Sequence, residues 1–155
     1  QKIVAIGPNF DRDTFGEDST DLMIRNFVPG LRVSKYADVA VNTGAQGSIM
    51  QALVNGTPVV AFPVGIDQAY FSNRLEEMKL GINIIPSSLS GFSERETYQS
   101  KDNFDPDKII EGINRILGDD GYHDRAQRFA DRVRKRYPDP AGSVVKFVDE
   151  FVKER

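Results

Sequence analysis

Short apolar runs alternate with amphipathic segments along the first half of the chain. The apolar runs end at glycine, proline or polar turns and predict strands at residues 2–6, 22–28, 39–41, 58–62 and 81–85. Apolar residues spaced three and four apart between these runs predict helices at residues 31–36, 48–55 and 67–78. This alternation predicts an α/β fold, a Rossmann-like doubly wound parallel sheet with helices on both faces. Ligands of such folds bind at the carboxyl ends of the strands.

The second half of the chain has a helical pattern after a long polar, serine-rich loop at residues 86–103. Two segments, residues 106–117 and 122–137, are apolar on one side and are predicted to cover the sheet. The predicted apolar face of the first segment is Ile109, Ile110, Ile113, Ile116 and Leu117. A last helix follows residues 140–143, and its stripe of valine and phenylalanine has the width expected for docking on a core.

Two polar motifs fall at the predicted carboxyl ends of strands. Thr43–Ser48 leads into a helix and is rich in small residues, so its backbone N–H groups and the positive end of the helix dipole are open to a phosphate. Asp67 and Gln68 follow the next strand and offer a carboxylate and an amide to the hydroxyls of a sugar. The residues alone also allow an ordinary strand-to-helix turn at 44–48 and a helix N-cap at Asp67.

Composition limits the classes of protein. The chain has 155 residues and 39% apolar content, which fits one core and one domain, residues 1–155. A formal net charge of −3 provides no positive field for nucleic acid or an anionic membrane. Without cysteine, disulfides and thiolate metal sites are excluded and a reducing compartment is permitted. The expected location is cytoplasmic. No apolar stretch reaches the roughly 18 residues of a membrane span.

The remaining chemistry-bearing residues favour structural roles. The acidic residues of the first loop lack the glycine and glutamate positions of a calcium-binding loop, so we expect no metal. These residues are Asp11, Asp13, Glu17, Asp18 and Asp21. His123, the sole histidine, is expected at a solvated helix terminus rather than in catalysis. The basic run from Arg125 to Arg136 is expected on a solvated helix face.

One region of the chain resembles a known signature. The motifs NFVP, YADVAVNTGAQGS, QAL, GTP and DQ, between residues 26 and 68, are similar in order and spacing to the donor-binding signature of UDP-glycosyltransferases. The resemblance implies the GT-B architecture of two Rossmann-like domains. This chain resembles most of the C-terminal, nucleotide-sugar-binding domain, apparently without the first strand and helix of that domain. We therefore expect a fragment of a two-domain enzyme.

The resemblance also implies a role for each matching residue. Phe27 would pack on the nucleobase and the Val28 backbone would bond its edge, while Gln51 would hold the ribose. Thr43 and the small-residue turn would contact the diphosphate, and the carboxylate and amide after the fourth strand would hold the transferred sugar. The implied donor-binding residues are Phe27, Val28, Thr43, Gly44, Ala45, Gln46, Gly47, Ser48, Gln51, Asp67 and Gln68.

Three positions depart from the family pattern. Thr43 stands where the family usually has histidine, so it keeps a donor but lacks an imidazolium charge for the leaving diphosphate. Gln51 replaces the usual glutamate and loses the charge-assisted part of a ribose hydrogen bond. Gly30 replaces a frequent glutamine, which removes one base or ribose contact. These departures leave the identity of the nucleotide open.

The resemblance implies sugar transfer from a UDP-sugar, UDP-glucose by default, to a hydroxyl of a small lipophilic acceptor with inversion. No cofactor is implied, and the base would lie in an N-terminal acceptor-binding domain, so this chain alone is expected to bind donor and transfer nothing. The alternative is a non-catalytic binding or regulatory module that has lost its donor. A flavodoxin-like or dinucleotide-binding domain is a weaker alternative, because no G-x-G-x-x-G motif follows the first strand.

Overall fold

The structure, a computed structural model, describes residues 3–6, 21–84 and 105–153, with the backbone alone for residues 3–6. In chain order the elements are β1 (Ile3–Ile6), β2 (Leu22–Arg25), α1 (Gly30–Ser34), β3 (Ala40–Asn42), α2 (Gln46–Leu53), β4 (Val59–Ala61), α3 (Ile66–Glu77), β5 (Gly81–Asn83), α4 (Pro106–Leu117), α5 (Asp120–Arg136) and α6 (Pro140–Lys153). The predicted alternation of strands and helices is confirmed. The predicted loop at residues 86–103 and the acidic residues before Asp21 lie outside the described residues.

All strand pairs in the described part of the chain are parallel. β1 and β2 pair in a two-stranded sheet, and β3, β4 and β5 form a separate three-stranded sheet with β4 at its centre. Ala40 pairs with Val59, and Val59 pairs with Gly81. The carboxyl ends of β3 and β4 therefore lie side by side, and the loops that follow them meet at one edge of the sheet.

β4 is buried on both faces, since Val59, Val60 and Ala61 are each 0% exposed. One face of the strand packs on α2, α3 and α5 through a cluster of Ile49, Ala52, Leu53, Val59, Ala61, Leu75, Leu80 and Ala126. The other face packs on α4 and the start of α5 through Val60, Ile82, Ile84, Ile116 and Tyr122. Helices thus cover both faces of the sheet, as the doubly wound fold requires.

Aspartate caps set where the two covering helices begin. Asp105 accepts a hydrogen bond from the Asp107 N–H at 3.1 Å at the start of α4, where Pro106 is the first helical residue. Asp119 accepts from the Gly121 N–H at 2.8 Å, so α5 begins at Asp120, two residues before the predicted start.

The predicted apolar face of α4 is wrong at two positions. Ile116 is 0% exposed, and Ile109 and Ile113 pack against its cluster, whereas Ile110 is 55% and Leu117 39% exposed. Each helical residue is rotated about 100° from the one before it. Ile110 and Leu117 each follow a core-facing residue and are therefore turned away from the sheet.

The apolar stripe of α6 is also placed differently from the prediction. Its members, Val144, Val145, Phe147, Val148, Phe151 and Val152, are 49–68% exposed. No residue of this helix is buried. The expected docking of α6 on the sheet core is therefore wrong within the part of the chain that the structure describes.

Candidate functional site

Asn42 and Gly44 shape the turn between β3 and α2. Asn42 Oδ1 accepts a hydrogen bond from the Gly44 N–H at 2.9 Å, as in an Asx-turn. Gly44 has a φ of +80°, in the left-handed region that favours glycine. A Cβ on this residue would collide with the Ser72 hydroxyl and lie 3.1 Å from the Gln68 carbonyl oxygen. Both the backbone conformation and the close packing therefore require glycine at position 44.

The N-terminus of α2 has no side-chain cap. Ala45 is the N-cap residue, with φ −61° and ψ 136°, and the Ile49 N–H bonds to its carbonyl at 3.0 Å. The N–H groups of Gln46, Gly47 and Ser48 have no partner among the described residues. Gly47 and Ser48 are exposed, and a Cβ on Gly47 would meet no atom within 4 Å. The helix thus presents three donors and its positive dipole end to open space, an arrangement that suits an anion.

Asp67 and Gln68 lie in the first turn of α3, directly after β4. Gly65 is the N-cap residue, in an extended conformation with φ −148°, so the alternative that Asp67 is the N-cap is wrong. The Asp67 side chain is exposed at this helix N-terminus, where the dipole stabilises a carboxylate. Gln68 Oε1 accepts from the Val64 N–H at 2.9 Å. That bond fixes the side chain of Gln68 and leaves its Nε2 group as a donor.

The turn after β3 and the helix after β4 are in direct contact. Gly44 packs against both the Gln68 carbonyl and the Ser72 side chain. Ser72 is 0% exposed, and its Oγ has no hydrogen-bond partner among the described residues. The two sequence motifs therefore belong to one site at the edge of the sheet, with a buried hydroxyl beneath it that the sequence pattern does not single out.

A polar network joins α1 to α2. Ser34 Oγ donates to the Gln51 carbonyl at 2.9 Å, and Thr57 Oγ1 donates to the Ser34 carbonyl at 2.6 Å. The Asn55 side chain donates to the Leu31 carbonyl at 2.7 Å. Ser34 and Thr57 are buried. Because buried polar groups that are satisfied in this way hold one arrangement, α1 has a fixed position beside α2.

Gln51 lies at the α1 end of the site. Its side-chain oxygen lies against Gly30, the first residue of α1, and a Cβ at position 30 would collide with it. Two of the three departures from the family pattern are therefore neighbours in space. Phe27, three residues earlier, is 81% exposed, and Val28 is half-buried. Thr43 is half-buried at the start of the turn between β3 and α2.

The basic run of α5 lies apart from these residues. Arg125 Nε donates to the Lys79 carbonyl at 2.8 Å, and Arg134 pairs with Asp131 at 2.7 Å. Hydrogen bonds from Arg134 and Gln127 hold the pKa of the Asp131 carboxyl below its ordinary value. A cavity of about 390 Å³ on this side is lined by Met78, Leu80, Arg125, Arg128, Asp131 and Arg132. His123 lies in the first turn of α5, at the helix start as the sequence predicts, and it is half-buried there.

Within residues 21–84 and 105–153, no group of three or more histidine or acidic side chains is placed to hold a metal ion. None of the helices described here has both the length and the apolar content needed to cross a bilayer.

No family model matches the chain. Among curated proteins, the NDP-glycosyltransferase YjiC of Bacillus licheniformis is 31% identical over 102 residues, which are 66% of this chain and 26% of that protein. The chain spans about a quarter of the length of the first curated relatives that it matches.

Solved structures that match the chain show the same fold. The spinosyn rhamnosyltransferase SpnG, in complex with spinosyn aglycone, matches 94% of this chain and 36% of its own chain, with a TM-score of 0.72 and 20% identity. Os79 from O. sativa, in complex with UDP, matches 99% of this chain and 34% of its own chain, with a TM-score of 0.69 and 20% identity. The chain is a homologue of GT-B glycosyltransferases. The fold predicted from the resemblance is thereby confirmed, while the roles of the individual donor-site residues stay predictions.

Proposed function

We propose that this glycosyltransferase homologue is a donor-binding domain, and that the whole protein transfers a sugar from a UDP-sugar to a hydroxyl of a small lipophilic acceptor with inversion. UDP-glucose is the default donor. One observation carries the proposal: the uncapped N-terminus of α2 and the Asp67 carboxylate lie at the same edge of the sheet, joined through the contact of Gly44 with Gln68. A nucleotide sugar has an anionic diphosphate next to a polyol, which matches this pair of features.

The diphosphate is assigned to the turn. The N–H groups of Gln46, Gly47 and Ser48, which bond to no described residue, and the Ser48 hydroxyl would donate to its oxygens. The absence of a Cβ at Gly47 leaves room for close approach. Thr43 adds a neutral donor, so the dipole of α2 supplies the positive potential for the leaving diphosphate. The solved complexes of SpnG with thymidine diphosphate and of Os79 with UDP support a nucleoside diphosphate as the ligand class.

The sugar and the nucleoside are assigned to opposite sides of the turn. The exposed Asp67 carboxylate and the Gln68 Nε2 group would hold hydroxyls of the transferred sugar. On the other side, Gln51 would bind the ribose, the exposed ring of Phe27 would stack on the base, and the Val28 backbone would bond the base edge. The network between α1 and α2 would keep the ribose and the base at a constant distance from the phosphates.

The reaction requires three contributions, of which this domain would supply two. It would hold the sugar and stabilise the leaving diphosphate, whereas the base for the acceptor hydroxyl would come from an N-terminal acceptor-binding domain. No catalytic residue, metal or cofactor is assigned to this chain. We therefore propose that residues 1–155 bind donor but transfer no sugar on their own.

Replacing Ser48 with alanine tests the diphosphate assignment. We expect the affinity for both UDP and TDP, measured by calorimetric titration, to fall about tenfold, because a hydrogen bond to a charged oxygen contributes about 1.5–3 kcal/mol. Ser143→Ala is the matched control, since the Ser143 hydroxyl donates to the Asp139 carbonyl at 2.8 Å on α6, away from the site. Folded protein that binds neither nucleotide would instead favour a module that has lost its donor.

A further inference from the structure

Ser72 carries a buried hydroxyl that no described residue satisfies. The residue is 0% exposed, and its Oγ has no hydrogen-bond partner within the described ranges 21–84 and 105–153. A helical serine often donates to the carbonyl four residues earlier, which here belongs to Gln68, but Ser72 does not make that bond. An unpaired buried hydroxyl destabilises a protein, so its presence next to a candidate ligand site calls for an explanation.

The hydroxyl lies directly against the turn between β3 and α2. A Cβ on Gly44 would collide with Ser72 Oγ, which places the oxygen beside the Gly44 Cα atom. The Gly44 N–H is already bonded to Asn42 Oδ1 at 2.9 Å. The Gly44 carbonyl oxygen is therefore the polar atom of Gly44 with which the Ser72 hydroxyl can form a hydrogen bond.

Peptide geometry connects that carbonyl to the anion site. In a trans peptide, the Gly44 carbonyl and the Ala45 N–H point in opposite directions. If the Ala45 N–H turns towards an anion at the N-terminus of α2, the Gly44 carbonyl turns away from the anion. Such a rotation would bring the carbonyl towards the Ser72 hydroxyl, which lies beside Gly44.

We propose that Ser72 is a positioning residue, which donates to the Gly44 carbonyl when a diphosphate is bound and so holds the turn in its binding conformation. This inference rests on the proposed function. Ser72 itself touches no ligand, because it is fully buried, and it acts through the peptide that joins Gly44 to Ala45.

Ser72→Ala tests the inference through two readouts of opposite sign. Without ligand, removal of the unpaired hydroxyl is expected to raise the Tm by about 2–4 °C. In calorimetric titrations with UDP and TDP, the affinity of the same variant is expected to fall about fivefold to tenfold, because the hydrogen bond of the bound state is lost. Ser72→Cys, which keeps the shape with a weaker donor, is expected to lie between the wild type and Ser72→Ala in affinity. Ser143→Ala again serves as the control: it should leave the affinity unchanged, and because it removes a satisfied hydrogen bond it should not raise the Tm.

Each outcome separates the inference from the proposed function. Unchanged affinity in Ser72→Ala, with nucleotide binding by the wild type, overturns the role of Ser72 and leaves the donor site standing. A fall in both Tm and affinity shows that Ser72 is only a packing residue and also overturns the inference. Folded wild-type protein that binds neither nucleotide overturns the donor site and the role of Ser72 together.

Discussion

Replacing Gly44 with alanine is expected to lower the free energy of unfolding by about 2–5 kcal/mol and to abolish nucleotide binding. The backbone at this position has a φ of +80°, which is strained for a residue with a Cβ. The added methyl would also collide with Ser72 and lie 3.1 Å from the Gln68 carbonyl, so the turn and α3 would have to separate. Urea denaturation and calorimetric titration measure the two effects.

Gly47→Ala is the matched control for Gly44→Ala. Gly47 is helical, and its added Cβ would meet no atom within 4 Å, so the variant should be more stable than the wild type by about 0.5–1 kcal/mol. Its nucleotide affinity should still fall, because the methyl would occupy space that we assign to the diphosphate. A Gly44→Ala protein as stable as the wild type would contradict the packing of the turn against α3.

Ile116→Ala is expected to lower the free energy of unfolding by about 2–5 kcal/mol, since truncation of a buried isoleucine leaves a cavity. Ile116 is 0% exposed and packs against Val60 on the face of the sheet that α4 covers. The backbone there comes so close that a Cβ on Gly112 would lie 3.2 Å from a Val60 methyl group. Little room is therefore left for the surrounding residues to collapse into the cavity.

Ile110→Ala provides the comparison within the same helix. Ile110 is 55% exposed, and its truncation should change the free energy of unfolding by less than about 1 kcal/mol. Chemical denaturation of the two variants measures the difference directly. Similar destabilisation by both substitutions would mean that α4 does not present Ile116 to the sheet, and it would contradict the doubly wound arrangement.

The sequence predicts the order of the elements well, because each strand is a compact apolar run that ends at a turn residue. Helix boundaries are less accurate for a local reason. α2 starts at Gln46, two residues before the predicted Ser48. Its N-cap residue, Ala45, has no capping side chain, so the sequence does not signal the helix start. The start of α5 was recoverable from the sequence, because Asp119 is an ordinary N-cap residue.

Spacing alone does not show which apolar stripes are buried. The α4 pattern includes Ile110 and Leu117 in its apolar face, and only the position of the sheet decides that both are exposed. The stripe of α6 is as apolar as that of a core helix, yet the helix has no buried residue. Tertiary placement determines burial in both cases, and periodicity carries no information about the partner of a stripe.

The candidate site is partly visible in the sequence. The small residues of the turn and the Asp67–Gln68 pair each follow a predicted strand. They can be assigned to one site from the sequence because the carboxyl ends of neighbouring parallel strands lie at the same edge of a sheet. Asn42 was also recoverable, since an asparagine two residues before a glycine is a common Asx-turn pattern. Ser72 has a weaker signal, a small polar residue spaced three from Ala69 and Leu75 on the buried side of α3. Only the structure shows that its hydroxyl lies against Gly44 and has no hydrogen-bond partner among the described residues.

The most direct test of the donor site compares UDP with UDP-glucose by calorimetric titration of the wild type and of Asp67→Ala. The two ligands share the nucleotide, so the difference between them isolates the sugar. We predict that Asp67→Ala binds UDP as the wild type does but binds UDP-glucose at least about tenfold more weakly, because a charge-assisted hydrogen bond to the sugar is lost. Equal weakening for both ligands, or no effect on either, would contradict the assignment of Asp67 to the sugar end of a nucleotide-sugar site.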